Sequence, residues 1–224
     1  MIYFGIEIDK IKPLSEKINK FYPDNPILGL LKRRPSQINI GTLTFKDEKK
    51  INLVEIGQDF LSFIFNQYEK WETELSKIIH VFTALTESVK TPKIIKIVLT
   101  YTDIFQIPVE DFQYNDFFSV PNFDNDFGWG IKFHDIYLGF VPYEEDLESE
   151  KRKITFRLRS RGIQNNDHVF GLETVGSIDN FIMDPEPNKL KEHLDRCHEK
   201  IEDYFINFLT DQYKEKLGLI FDEF

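Results

Sequence analysis

Cysteine is almost absent from this sequence, and that sets the first limit. Cys197 is the only one among 224 residues, so no internal disulfide framework can form. Basic residues are also in deficit: 28 Lys and Arg stand against 38 Asp and Glu, a formal net charge of −10. A polyanion is repelled by such a surface unless the cations cluster, so nucleic acid is a disfavoured partner. No apolar run approaches the roughly 18 residues that a membrane span needs, and no membrane partner is expected. The opening MIYFGIEIDKIK has no basic segment ahead of a long apolar run, and Glu7, Asp9 and Lys10 interrupt it early, so a cytoplasmic location is expected. Phosphate-cradling glycine loops are missing too. FGWG offers two glycines without the spacing of a dinucleotide or P-loop motif. Asp124-Asn125-Asp126 resembles half of a calcium loop but lacks the bidentate glutamate. No cofactor is expected.

What the chain has in excess is phenylalanine, 22 in all. Each large ring taken out of water contributes on the order of 1.5–3 kcal/mol, so most of them must fill a core. A chain of this length buries roughly 70% of its unfolded surface, enough for a core without staples.

Periodicity divides the chain into two similar successions. MIYFGIEI alternates as a strand, with Ile2, Phe4, Ile6 and Ile8 on one face. PLSEKINKF suggests a helix over 13–21 with Pro13 in its first turn, and YPDNP stops it. A loop containing LKRRPSQ leads into three short strands, INIGTLTF, INLVEIG and DFLSFIFN. KWETELSKIIHVFTALTESV is an amphipathic helix, with Trp71, Leu75, Ile78, Phe82 and Leu85 at spacings of three and four. The second succession begins with the strand KIIKIVLTYTDIFQIP and a short helix at VEDFQYNDFF. Strands follow in GWGIKFHDIYLGFV, KITFRLRSRGI and HVFGLETVGSI, and a long helix runs from MDPEPNKL to about Lys216.

This order predicts an α+β fold: a curved, mostly antiparallel sheet with long helices packed on one face. The halves, about 1–90 and 91–224, share a strand–helix–strands–helix order without residue-level repetition. No Gly/Ser/Pro-rich linker separates them, so one domain over 1–224 is expected.

His193, Cys197 and His198 fall within LDRCHEKIEDYF and its immediate flank, and they raise the question of a metal or nucleophile. Leu190, Leu194, Cys197, Ile201, Tyr204, Phe205, Phe208 and Leu209 recur at steps of three and four. Cys197 therefore belongs to the buried stripe, a common role for a free cysteine. A metal held at i and i+4 needs a second ligand pair, and His80, His134 and His168 sit singly on separate elements. Cys197 and His198, as helix neighbours, project about 100° apart, which is unsuited to a nucleophile–base pair. Neither metal nor catalytic residues are assigned.

KRKITFRLRSRG is the anomaly of an acidic chain. Alternation sends Ile154, Phe156 and Leu158 to one face and Lys153, Thr155, Arg157, Arg159 and Arg161 to the other. Four cations on one strand face repel one another unless compensated. Acids on neighbouring strands, for example Glu173 or Asp135, would compensate them. The alternative is an anion-binding surface, for which arginine's bidentate fork suits phosphate or carboxylate. Lys32, Arg33 and Arg34 form a second basic cluster, read as a surface loop. The acidic tip EEDLESE is read as a solvated hairpin end able to meet a basic partner.

Three blocks carry a resemblance: IGQDFLSFIFNQYEKWETELSKI, IIKIVLTYTDIFQIP and LDRCHEKIEDYFINFLTDQYKEKLG, spanning roughly residues 50–218. In pattern and order they resemble a sporadically distributed bacterial family of uncharacterised proteins. That family is known as a conserved domain without assigned activity, with a Leu-x-x-x-His start and a Leu-Thr-Asp break in its C-terminal helix. The family usually opens with a proline-rich phrase, whereas this chain begins at MIYFGIEI. The resemblance implies no catalytic residues. It implies an accessory gene setting such as phage defence or a toxin–antitoxin pair.

Three functions follow in order of expectation. The first is a non-enzymatic module that binds another protein, one encoded nearby, as an accessory, sensor or immunity component. The second is binding of an anion, nucleotide or nucleic acid through the Lys153–Arg161 face. The third is an enzyme with a dispersed carboxylate or histidine site near His134, His168 or His198.

Overall fold

The computed structural model describes residues 8–24, 26–34, 37–57, 60–89, 93–108, 137–147, 150–165 and 167–216. The chain is α+β, and its eight described strands form two four-stranded sheets, antiparallel at every pairing. It divides into two compact units, 1–94 with 182–193 and 95–181 with 194–224. The first boundary lies close to the division at residue 90 that the repeated element order suggests.

In the first unit, helix α1 (Ile8–Ile18) precedes a meander of β1 (Ile27–Arg34), β2 (Gln37–Lys46), β3 (Leu53–Gly57) and β4 (Leu61–Ile64), followed by helix α2 (Trp71–Ser88). The expected strand over 1–8 lies outside the described residues except for Ile8, which begins α1. Pro13 is therefore inside the helix rather than in its first turn. The basic run expected as a loop is a strand end: Lys32 pairs with Ile38 and Arg34 with Gln37. Sequence reading missed β1 because ILGLLKRR does not alternate. Two register irregularities break its two-residue period, at Gly29/Leu30 and Lys32/Arg34.

Alternation does set β2 and β3. Leu43 and Phe45, Val54 and Ile56 point to one side and pack on Leu14, Ile18, Tyr22, Val81, Ala84 and Leu85 of the helical layer. The two helices are joined further by Lys17–Glu87 at 2.9 Å, by His80 Nε2 to the Lys17 carbonyl at 2.9 Å, and by Phe21 edge-on to His80.

In the second unit the strands are β5 (Ile97–Pro108), β6 (Tyr137–Asp146), β7 (Lys151–Gln164) and β8 (Asp167–Asp179), in spatial order β5-β8-β7-β6. Helix α3 (Pro187–Phe208) and short helix α4 (Asp211–Lys216) follow. The expected helix at VEDFQYNDFF lies outside the described residues, as does His134. The continuous C-terminal helix expected to Lys216 is broken in two. Leu209 is buried, and Thr210 accepts the Tyr213 N–H on both its carbonyl (3.0 Å) and its hydroxyl (3.3 Å), capping α4.

The core of this unit is aromatic. Phe105, Phe156, Leu158, Phe170 and Leu172 from the sheet meet Phe208, Leu209 and Tyr213, and Phe156 stacks on Phe208 with centroids 4.9 Å apart. At Gly176 helix α3 lies hard against β8. A Cβ built there would stand 2.6 Å from Cys197 Sγ and 2.7 Å from Ile201 Cδ1, so only glycine lets the helix lie this close.

Candidate functional site

The basic strand occupies the middle of the second sheet, and its alternation follows the sequence through residue 159. Ile154, Phe156 and Leu158 are buried toward α3, while Lys153, Thr155 and Arg157 are half-buried and Arg159 exposed on the opposite face. Beyond Ser160 the register shifts, and Gly162 takes a φ of +92°. Arg161 therefore sits in a bulge, where two-residue alternation no longer assigns its face.

Cross-strand acids meet these cations. Arg157 is registered opposite Glu173 and bonds to it at 3.1 Å. Lys151 lies between Asp146 of β6 and Asp179 of β8, and it pairs with Glu144 and with Asp146 at 3.3 Å. Lys153 is registered opposite Glu144. The outward face is thus a lattice of alternating charge. Compensation by Glu173 matches the expectation, whereas Asp135 lies outside the described residues. The Arg157–Glu173 pair is about a third exposed on each side, so it contributes about 0.2–1 kcal/mol and chiefly fixes the surface pattern. Lys32, Arg33 and Arg34 belong to the first unit and the Lys153–Arg161 row to the second.

The outward row of β5 completes the face. Val98, Thr100, Thr102, Ile104 and Gln106 are all exposed, Val98 by 49% and Ile104 by 56%. An apolar and hydroxyl row thus borders the charged one on the same sheet.

The other face holds a cluster that sequence reading passed over. Arg152 shares the parity of Ile154 and so points toward α3, where it pairs with Glu150 and, at 3.9 Å, with Glu145. Tyr143 donates to Glu145 at 2.5 Å and lies against Tyr204, with Lys200 Nζ 5.8 Å from its ring centroid. A cavity of about 310 Å³ opens here, lined among others by Tyr143, Arg152, Arg196, Cys197, Lys200 and Asp203. Four cations of the lining, Arg152, Lys153, Arg196 and Lys200, stand against two carboxylates, Glu199 and Asp203, while Arg152 itself is paired with Glu150 and Glu145 of its own chain. The signal for this cluster was present in the sequence as a cation on the apolar side of β7.

Tyr101 reaches from β5 to His198 Nδ1 at 2.9 Å, and His198 Nε2 lies 3.9 Å from Glu202. Asp103, two residues along β5, has its carboxyl pKa raised by burial. Cys197 is buried, and burial pushes its thiol from 9.0 up to about 12, with Arg152 pulling weakly the other way. A neutral thiol of this kind is a packing group, not a nucleophile. Among the described residues no three His, Cys, Asp or Glu side chains converge as metal ligands.

Cys197 is accordingly expected to react with a thiol reagent at pH 8 at least about tenfold more slowly in the native protein than in denaturant. Timed labelling read by mass spectrometry checks this; equal rates would place the thiol at the surface. The sign of the pH effect follows. The folded thiol holds its proton where the unfolded one has lost it, so this term stabilises below pH 9 and is lost as pH rises toward 12.

Comparison with protein-family models, with curated proteins and with solved structures returns no match.

Proposed function

We propose that this chain is a non-enzymatic protein-interaction module, an accessory, sensor or immunity component of a bacterial defence or toxin–antitoxin type system. The observation that carries the reading is the outward face of the second sheet. It presents an exposed row of Val98, Thr100, Thr102 and Ile104 beside rows of charge fixed by the Arg157–Glu173 and Lys151–Asp146 pairs. Such a surface combines apolar contact with a rigid charge pattern that a complementary protein can read. It suits a small charged ligand poorly, because the arginine best placed to grip an anion is already paired with Glu173. The defence setting rests on the family resemblance.

Exchanging the pair, Arg157→Glu with Glu173→Arg, keeps the ion pair and inverts the pattern. The wild-type protein is expected to recover one stoichiometric partner from its native host. The exchanged variant should lose that partner by at least about tenfold while its melting temperature holds. Recovery of no stoichiometric partner, or equal recovery by the exchanged variant, would overturn the proposal.

A further inference from the structure

The cavity on the helix side of the second sheet lies wholly within that unit, between β6, β7, β8 and α3. At about 310 Å³ it falls at the lower end of the range for ligand sites. It has about twice the volume of an engineered apolar cavity that accepts benzene. One ring or one branched chain with a polar head fits that space.

The lining has two parts. Ile154, Ile178 and Cys197 are buried and form an apolar floor. The Tyr143 ring adds an aromatic wall that is held in place, its hydroxyl bonded to Glu145 and its ring against Tyr204. Arg196, Glu199, Lys200 and Asp203 line the same cavity and are exposed. An apolar floor with charged groups on the solvent side suits an amphipathic molecule better than a bare ion.

The helix charges come as two sets, each spaced one turn apart: Arg196 with Lys200, and Glu199 with Asp203. Lys200 stands over the Tyr143 ring. Among the described residues, the side chains of Arg196, Glu199 and Asp203 take no ion-pair partner. Their order along the helix explains this. Arg196 precedes Glu199 and Lys200 precedes Asp203, whereas acid before cation is the favoured order. The pairs at this spacing that do form, Glu74–Lys77, Glu186–Lys189 and Asp211–Lys214, all put the acid first. Arg152 does not neutralise the two helix acids either, because Glu150 and Glu145 hold it. Two cations and two carboxylates thus face the cavity with their pairing capacity unspent.

We propose that this cavity binds a free α-amino acid with a large apolar side chain. The side chain lies between Tyr143 and the floor of Ile154, Ile178 and Cys197. The carboxylate accepts from Arg196 and Lys200, and the ammonium group donates to Glu199 and Asp203. Residues three and four apart on a helix stand about 5–6 Å apart between Cβ atoms. An α-amino acid carries both charges on one carbon, so a single molecule reaches both sets. Phosphate or another bare anion meets Glu199 and Asp203 as well as the cations, and gains less. The site is on the face opposite the Arg157–Glu173 pattern and does not depend on a protein docking there. The Arg157–Glu173 exchange should leave it intact.

Isothermal titration calorimetry of the full chain with L-phenylalanine, L-tryptophan, L-leucine and L-methionine tests it. At least one should bind one-to-one with a dissociation constant of about 1 mM or tighter. The N-acetyl and amide derivatives of that amino acid keep only the carboxylate or only the ammonium group. Each should bind about tenfold or more weakly, and inorganic phosphate should not compete. Arg196→Ala and Asp203→Ala alter exposed residues, so the melting temperature without ligand should hold. Each should raise the dissociation constant about fivefold or more. Backbone amide shifts at Tyr143, Ile178 and Cys197 on titration place the ligand in the cavity. Absence of binding by all four amino acids overturns the proposal. So does equal binding of the blocked derivatives, competition by phosphate, wild-type affinity in both variants, or shifts confined to residues elsewhere.

Discussion

Phe156→Ala is expected to destabilise the second unit by about 3–5 kcal/mol, the range for deleting a buried ring from a packed core. Phe156 is 1% exposed at the centre of β7, flanked by the buried Ile154 and Leu158, and it stacks on Phe208 of α3 at 4.9 Å. The loss combines the transfer energy of the ring with the void left among Phe105, Leu172 and Phe208, because β7 is paired with β8 without a register shift from Lys151 to Ser160 and collapses little there. Phe156→Leu keeps most of the volume and should cost less than about 1.5 kcal/mol. Denaturant titration reads both. Amide exchange in β7 and β8 should speed up with the alanine variant far more than with leucine. Equal costs for the two would mean that the ring stacking and packing do not hold the helix to the sheet.

Lys77→Ala is expected to cost about 3 kcal/mol, more than its exposed neighbours would suggest. Glu74 is 1% exposed, on the same row of α2 as Ile78, Val81 and Leu85. Lys77 bonds both of its oxygens, at 3.0 and 3.2 Å, and lies 5.7 Å from the centroid of the Phe65 ring. Removing the lysine leaves a carboxylate in the core without its partner. Glu74 also adds, after burial itself, to the raised pKa of the buried Tyr22 hydroxyl. Adding Glu74→Gln to Lys77→Ala removes the stranded charge and should restore most of the loss. A double-mutant cycle by thermal melting checks this; additive single effects would show that the two side chains do not act as a pair.

The elements that sequence reading found share a physical cause. Helix α2, strands β2, β3 and β5 and the β7–β8 pair each turn one face inward, so their period is visible without a neighbour. What it misplaced are elements whose period is interrupted. Strand β1 is bulged, so its basic end resembled a loop. Helix α1 contains Pro13, a residue that in the sequence alone marks a helix start. The break between α3 and α4 depends on Thr210 capping Tyr213, a hydrogen bond that no periodicity announces. For the site, alternation placed Ile154, Phe156 and Leu158 on the buried face and Lys153, Arg157 and Arg159 on the other. It passed over Arg152, whose carboxylate partners lie on the preceding turn and on β6.

Composition and pattern by themselves determined an α+β chain with an aromatic core, a thiol on a buried helical stripe and a row of cations on one strand face. Each of these depends only on which residues follow which along one element. Tertiary structure alone decided that those cations stand against Glu173, Glu144 and Asp146, that Gly176 admits α3 to within contact of β8, and that β5 is the outer strand of its sheet among the described residues. The reason is that compensation, close approach and edge position are properties of strand order and register. Those are set by contacts between segments far apart in the chain, where local periodicity carries no information.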